Sequence, residues 1–233
     1  MIERTQEWFV PRFGPHRFRV LVGLLFLPYT AMVLCFTVLG AMLAPAVDWE
    51  RVLALCLVYA LALGVGAHAL DAIGRGDAKP WGAAFAPRTL LVIAITAIVA
   101  AYAIGAWYMQ RFALWLWPIA IAEGFFLLAY NLEWFDGRFH TDAWFAFSWG
   151  ALPAIAGYVL QTNRVGIAAL VLGAGTAALS LVEIKASRPY KAMKRHREGS
   201  DGAQLYTLEA ILKAISLGTI AVTSALALAR VQA

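Results

Sequence analysis

The feature that most limits the fold is a series of seven unbroken apolar runs, at approximately residues 20–45, 50–71, 89–109, 112–131, 143–161, 165–184 and 204–229. A hydrocarbon core of roughly 30 Å is crossed by about 20 apolar residues in helical conformation, so each run is long enough to span a bilayer. Short polar punctuation separates them, such as Asp48-Trp49-Glu50-Arg51, Gln110-Arg111 and Gln161-Thr162-Asn163-Arg164. Runs this continuous lack the alternation of a barrel strand, and in lipid the backbone N–H and C=O groups must find partners inside a helix or a closed barrel. The expected fold is all-α: a polytopic transmembrane bundle of about seven helices, with residues 1–233 forming one transmembrane domain. Composition agrees, since 62% of residues are apolar and 14% charged. The mean hydropathy of +0.71 lies outside the soluble range.

Lys and Arg fix the expected orientation. With the N-terminus inside, fourteen fall on the cytoplasmic side: Arg4, Arg12, Arg17, Arg19, Arg75, Lys79, Arg88, Arg138, Lys185, Arg188, Lys191, Lys194, Arg195 and Arg197. Four fall outside: Arg51, Arg111, Arg164 and Arg230. That asymmetry predicts an inner (plasma) membrane of bacterial type with a cytoplasmic N-terminus. Residues 1–19, with Trp8, Phe9, Phe13 and Phe18, read as an interfacial segment rather than a cleaved signal peptide. The net charge of +5 is accounted for by this fringe, which suits anionic lipid headgroups or a phosphate-bearing ligand and not a nucleic acid. The longest hydrophilic stretch, about 185–203, is too short to bury a core of its own. Cys35 and Cys56 sit in apolar runs, where a small packing side chain is expected rather than a disulfide.

Ionisable residues at membrane depth carry the functional information, because each is costly unless it meets a partner or a wet cavity. The second run ends in His68-Ala-Leu-Asp71-Ala-Ile-Gly-Arg75-Gly-Asp77-Ala-Lys79-Pro80. His68 and Asp71 are i and i+3 on a helix and share a face. Between the fourth and fifth runs lies an aromatic-rich stretch from Tyr130 to Pro153. The sixth run ends in Ser180-Leu-Val-Glu183-Ile-Lys185-Ala-Ser-Arg188-Pro189-Tyr190-Lys191. All three segments fall on one side of the membrane by this topology. Acids beside fixed cations suit a diphosphate and a divalent metal at the membrane surface; a polybasic fringe on anionic lipid is the plainer alternative. Glu123 falls near the middle of the fourth run, buried against a neighbour or lining a cavity.

In this order the segments resemble the UbiA superfamily of intramembrane prenyltransferases. The family stretch Tyr-Pro, Lys-Arg, Phe-Gly-Trp, Pro is matched by Tyr130, Phe147-Ser148-Trp149-Gly150 and Pro153, with Trp134 and Phe135 near the positions of the basic pair. The family's Asn-Asp-x-x-Asp-x-x-x-Asp motif is matched by Ala67 and His68 at the first two positions, Asp71 in the middle and Arg75 at the last, with Asp77 displaced by two. Of the second Asp-rich motif, Glu183 alone supplies an acid. The likeness spans roughly residues 15–230, although members usually have nine helices. It implies transfer of a prenyl group from a polyprenyl diphosphate to an aromatic or lipid acceptor. The same likeness implies Asp71, Asp77 and Glu183 as catalytic acids, with Asp71 and Glu183 holding Mg²⁺. His68, Arg75, Lys79, Tyr130, Arg188 and Lys191 would then meet the substrate and its diphosphate. The thinned acid motifs imply an alternative, a non-catalytic member that binds an isoprenoid or lipid or serves as a subunit of a larger membrane complex. A retinal-binding lysine at Lys213 is disfavoured, because the third run carries no carboxylate as counterion; Glu209 and Lys213 instead read as an i, i+4 pair.

Overall fold

The computed structural model describes residues 4–74, 84–195 and 202–232. These residues form seven helical rods and no strand: α1 (His16–Met42), α2 (Trp49–Ile73), α3 (Pro87–Phe112), α4 (Leu116–Asn131), α5 (Asp142–Thr162), α6 (Ile167–Lys194) and α7 (Gly202–Gln232). Six are long and apolar enough to cross a membrane, and α4 is a shorter apolar helix. The chain is therefore an integral membrane protein with an all-α fold.

α5 is the most buried rod and packs chiefly against α1 and α6. Small residues set these contacts. A Cβ on Gly40 would strike the Ala154 carbonyl, and one on Gly157 would strike the carbonyl of Thr37. Between α5 and α6, a Cβ on Gly150 would lie 2.7 Å from the Ala177 Cα. Without a hydrophobic force separating helix from lipid, such close backbone approach is what drives helices together. α7 packs on α1 and α6 and turns most of its surface outward; α3 lies along α2.

Three rods depart from regular α-geometry. α1 breaks at Phe26, which takes a left-handed conformation (φ 43°), and the freed Leu25 carbonyl accepts from the Thr30 hydroxyl at 2.8 Å. α2 widens into a π-helical stretch at Ala60–Ala67, and α5 does so at Ala146–Ala151. Wide turns of this kind are rare and concentrate at functional sites. Here the Thr176 hydroxyl reaches across from α6 to within 2.9 Å of the Gly150 carbonyl, supplying a partner within the widened turn.

The sixth rod runs on beyond the expected end of its apolar run. Residues 185–194 belong to helix α6 rather than to a hydrophilic loop, and Pro189 sits inside it. The cause is burial: Ala186, Ser187 and Tyr190 form a covered face that keeps the backbone helical through a residue that cannot donate. The N-terminal segment closes over this end. Arg19 donates to the carbonyls of Pro11 and Thr5 at 3.0 and 2.7 Å, and Lys194 bridges to Glu7 at 3.0 Å. Lys213 pairs with Glu209 at 2.6 Å, the i, i+4 contact expected from spacing.

Candidate functional site

The break in α1, the widened turn of α5 and the helical end that follows the widened turn of α2 border a cavity of about 660 Å³, a size typical of small-molecule sites. Five helices and one loop build its wall. Phe26 and Tyr29 come from the break in α1, His68 and Asp71 from the end of α2, and Tyr130 and Asn131 from the end of α4. Glu133 and His140 come from the α4–α5 loop, Phe145 and Trp149 from the start of α5, and Glu183, Arg188 and Lys191 from α6. Because successive rods run antiparallel, these ends meet at one face of the bundle.

All six predicted site residues that are described line this one cavity: Asp71, Glu183, His68, Tyr130, Arg188 and Lys191. Arg75, Asp77 and Lys79 lie outside the described residues. Glu183 stands within the body of α6 and is 2% exposed. Asp71 is half-buried.

The cations are held in different ways. Arg188 forms an ion pair with Asp142 at 3.0 Å, and Lys185 reaches the other oxygen of the same carboxylate at 2.8 Å. Asp142 thus orients Arg188 at the mouth while withdrawing part of its charge. Lys191 places its ammonium 4.5 Å from the centroid of the Phe26 ring, a cation–π contact that aims it along the strained turn of α1.

Both histidines have a fixed tautomer when neutral. His68 Nδ1 lies 3.0 Å from the Gly64 carbonyl and His140 Nδ1 lies 2.9 Å from the Tyr130 carbonyl. A nitrogen facing a carbonyl must carry the proton, which makes Nε2 the acceptor in each ring. His140 also stacks on the Tyr130 ring, centroids 4.2 Å apart.

The inner wall is aromatic, and the aromatic-rich stretch from Tyr130 to Pro153 supplies Phe145 and Trp149 to it. Tyr29 stacks on Phe145 at 5.1 Å, Phe145 on Trp149 at 5.8 Å, and His68 meets the Trp149 ring edge-on at 5.6 Å. Tyr29 is 2% exposed, and its hydroxyl stands beside the Ser180 hydroxyl of α6. Phe145 and Tyr29 lie outside the motif positions that carry the resemblance, so no spacing pointed to them.

Three acids line the cavity, but among the described residues no three His, Cys, Asp or Glu side chains come together in a group able to hold a metal ion. Mg²⁺ takes near-octahedral oxygen coordination, and the described donors do not build such a cage by themselves. No family model, curated protein or solved structure matches the chain.

Proposed function

We propose that the cavity receives the diphosphate head of a polyprenyl chain and that the protein is a UbiA-like prenyltransferase of the cytoplasmic leaflet. The observation that carries this reading is the pairing of a cationic mouth, Arg188 and Lys191, with an aromatic inner wall, Tyr29, Phe145 and Trp149, around one cavity. The cations suit an anionic head, and the Tyr29 hydroxyl on the cavity wall suits one of its oxygens. The aromatic faces suit the reacting end of the chain. When the allylic C–O bond breaks, its electron pair leaves with the diphosphate and positive charge develops on the carbon chain. Ring faces stabilise that charge. The acceptor ring then forms the new C–C bond and gives up a proton, for which the cavity wall offers Asp71 and the Nε2 of His68 as bases.

A second reading is favoured by the scarcity of grouped metal donors among the described residues: a protein that keeps the pocket to bind an isoprenoid diphosphate or another lipid, alone or as a subunit of a membrane complex, without turning it over. One experiment separates the two. Purified protein in lipid nanodiscs is titrated with geranylgeranyl diphosphate with and without Mg²⁺, followed by a search for transfer to aromatic and lipid acceptors. Binding with Mg²⁺-dependent transfer, lost in Asp71→Asn, supports the enzyme. Binding without transfer supports the non-catalytic reading. Absence of binding in both conditions removes the enzyme and, from the second reading, the isoprenoid diphosphate as ligand.

A further inference from the structure

A second polar feature lies deeper in the bundle and shares no lining residue with the large cavity. Glu123 stands near the midpoint of α4, half-buried, where water is scarce and a carboxyl must find its partners among protein or ligand groups. Its Oε1 accepts from the Tyr59 hydroxyl of α2 at 2.6 Å, and among the described residues Tyr59 is its one hydrogen-bond partner. From α3, the Tyr102 hydroxyl reaches to Gly124, where an added Cβ would strike it, and donates to the Ala120 carbonyl at 2.9 Å. Three polar side chains from three helices therefore meet at mid-membrane.

They meet in a crevice whose remaining walls are apolar, including Leu55, Leu63, Met109 and Leu127. The crevice exists because consecutive rods diverge: α3 packs along α2, whereas α4 leans on α5 and the widened part of α2. Tyr102, 37% exposed, stands in the gap between them and marks where it opens sideways to lipid. The free space is about 50 Å³, enough for one polar group and the carbons next to it.

We infer that this crevice is a binding site, entered from the bilayer, for a lipophilic molecule carrying one hydroxyl group, an alcohol or phenol. A carboxyl engaged through one oxygen retains hydrogen-bonding capacity at the other, and the Tyr102 oxygen retains its acceptor capacity while its proton serves Ala120. A ligand hydroxyl both donates and accepts, so it matches this set whichever protonation state Glu123 holds. A charged head does not match, because two neutral hydroxyls and one carboxyl cannot replace its hydration. The size of the crevice fits the hydroxyl and its first carbons, with the rest of the chain lying in lipid. This assignment is independent of the diphosphate reading.

The test uses the full chain in nanodiscs with a long-chain alcohol bearing a diazirine beside the hydroxyl, and the same hydrocarbon without the hydroxyl. After irradiation, cross-linked peptides are mapped by mass spectrometry. The alcohol is expected to label the segments around Tyr102–Met109 and Ile119–Leu127 about fivefold more than the hydrocarbon, the equilibrium worth of one hydrogen bond. Glu123→Leu should bring the alcohol down to the hydrocarbon level while binding of geranylgeranyl diphosphate stays unchanged. Equal labelling by the two probes in the unmodified protein overturns the inference, as does alcohol labelling spread evenly over the lipid-facing surface of α7. The two-probe ratio decides the matter even where the variant does not fold.

Discussion

Arg188 and Asp142 show how a single contact tunes the cavity mouth. The Asp142 carboxylate holds Arg188 and Lys185 together, so the cation offered to a ligand is oriented but partly neutralised. Two substitutions therefore act in opposite directions. Arg188→Gln removes a charged hydrogen-bond donor and should weaken geranylgeranyl diphosphate binding about tenfold. Asp142→Asn releases both cations, and affinity should rise about two- to fivefold at low salt, with the gain shrinking as salt screens the exposed charges. Equilibrium binding at two ionic strengths measures both. Were the pair a structural strut only, both variants would lower thermal stability and neither would shift affinity. The sequence made Arg188 legible because a cation near a membrane surface has few reasons to be there. It left Tyr29 and Phe145 illegible, since aromatic residues near helix ends are ordinary interfacial anchors and their stacking depends on which faces of α1 and α5 turn inward.

At the scale of elements, the apolar runs were readable because lipid imposes a length on any helix that crosses it, and the ends found here fall within a few residues of those runs except in α6. The departures are the informative part. Nothing in Ala60–Ala67 or Ala146–Ala151 announces a widened turn, because that geometry comes from the packing of neighbouring rods against the helix rather than from local preference. Each wide turn shifts the angular register of the next helical segment, which brings His68 and Asp71 on α2 to the same cavity as Trp149 on α5. Deleting Ala146 should restore regular α-geometry and rotate the preceding Phe145 away from Tyr29. Helix content by circular dichroism should hold while diphosphate binding falls by about tenfold or more, since the stacked wall is lost. The glycine contacts give a separate test of packing. Gly157→Ala places a Cβ against the Thr37 carbonyl, whereas Gly175 has nothing within 4 Å. The first should cost about 1–3 kcal/mol, the range for overpacking. Gly175→Ala should leave the detergent melting temperature close to that of the unmodified protein.

For the whole molecule, the decisive question is which side of the membrane the cavity faces. The bundle has two unlike ends. At one, Arg188, Lys191, Asp71 and His140 surround the cavity. At the other, short connections are tied by sparse polar contacts, with Gln161 accepting from the Asp48 amide at 2.8 Å and Arg230 donating to the Ala44 and Pro45 carbonyls at 2.9 and 2.8 Å. From the concentration of Lys and Arg at the cavity end we propose that this end lies in the cytoplasm, where an ionic prenyl diphosphate, which does not cross lipid unaided, would have to be met. Arg138 is exposed on the α4–α5 loop beside the cavity, and Arg164 is exposed on the α5–α6 turn at the opposite end. With Cys35 and Cys56 replaced by alanine, single cysteines at these positions report orientation through a membrane-impermeant maleimide. Arg164→Cys should react in intact spheroplasts, and Arg138→Cys should react in inverted vesicles alone. The reverse pattern would place the cationic mouth outside, where the charge asymmetry has no explanation and a cytoplasmic diphosphate has no route to it. That outcome would remove the proposed substrate while leaving the mid-membrane hydroxyl site untouched, because a lipophile reaches Glu123 through the bilayer from either leaflet.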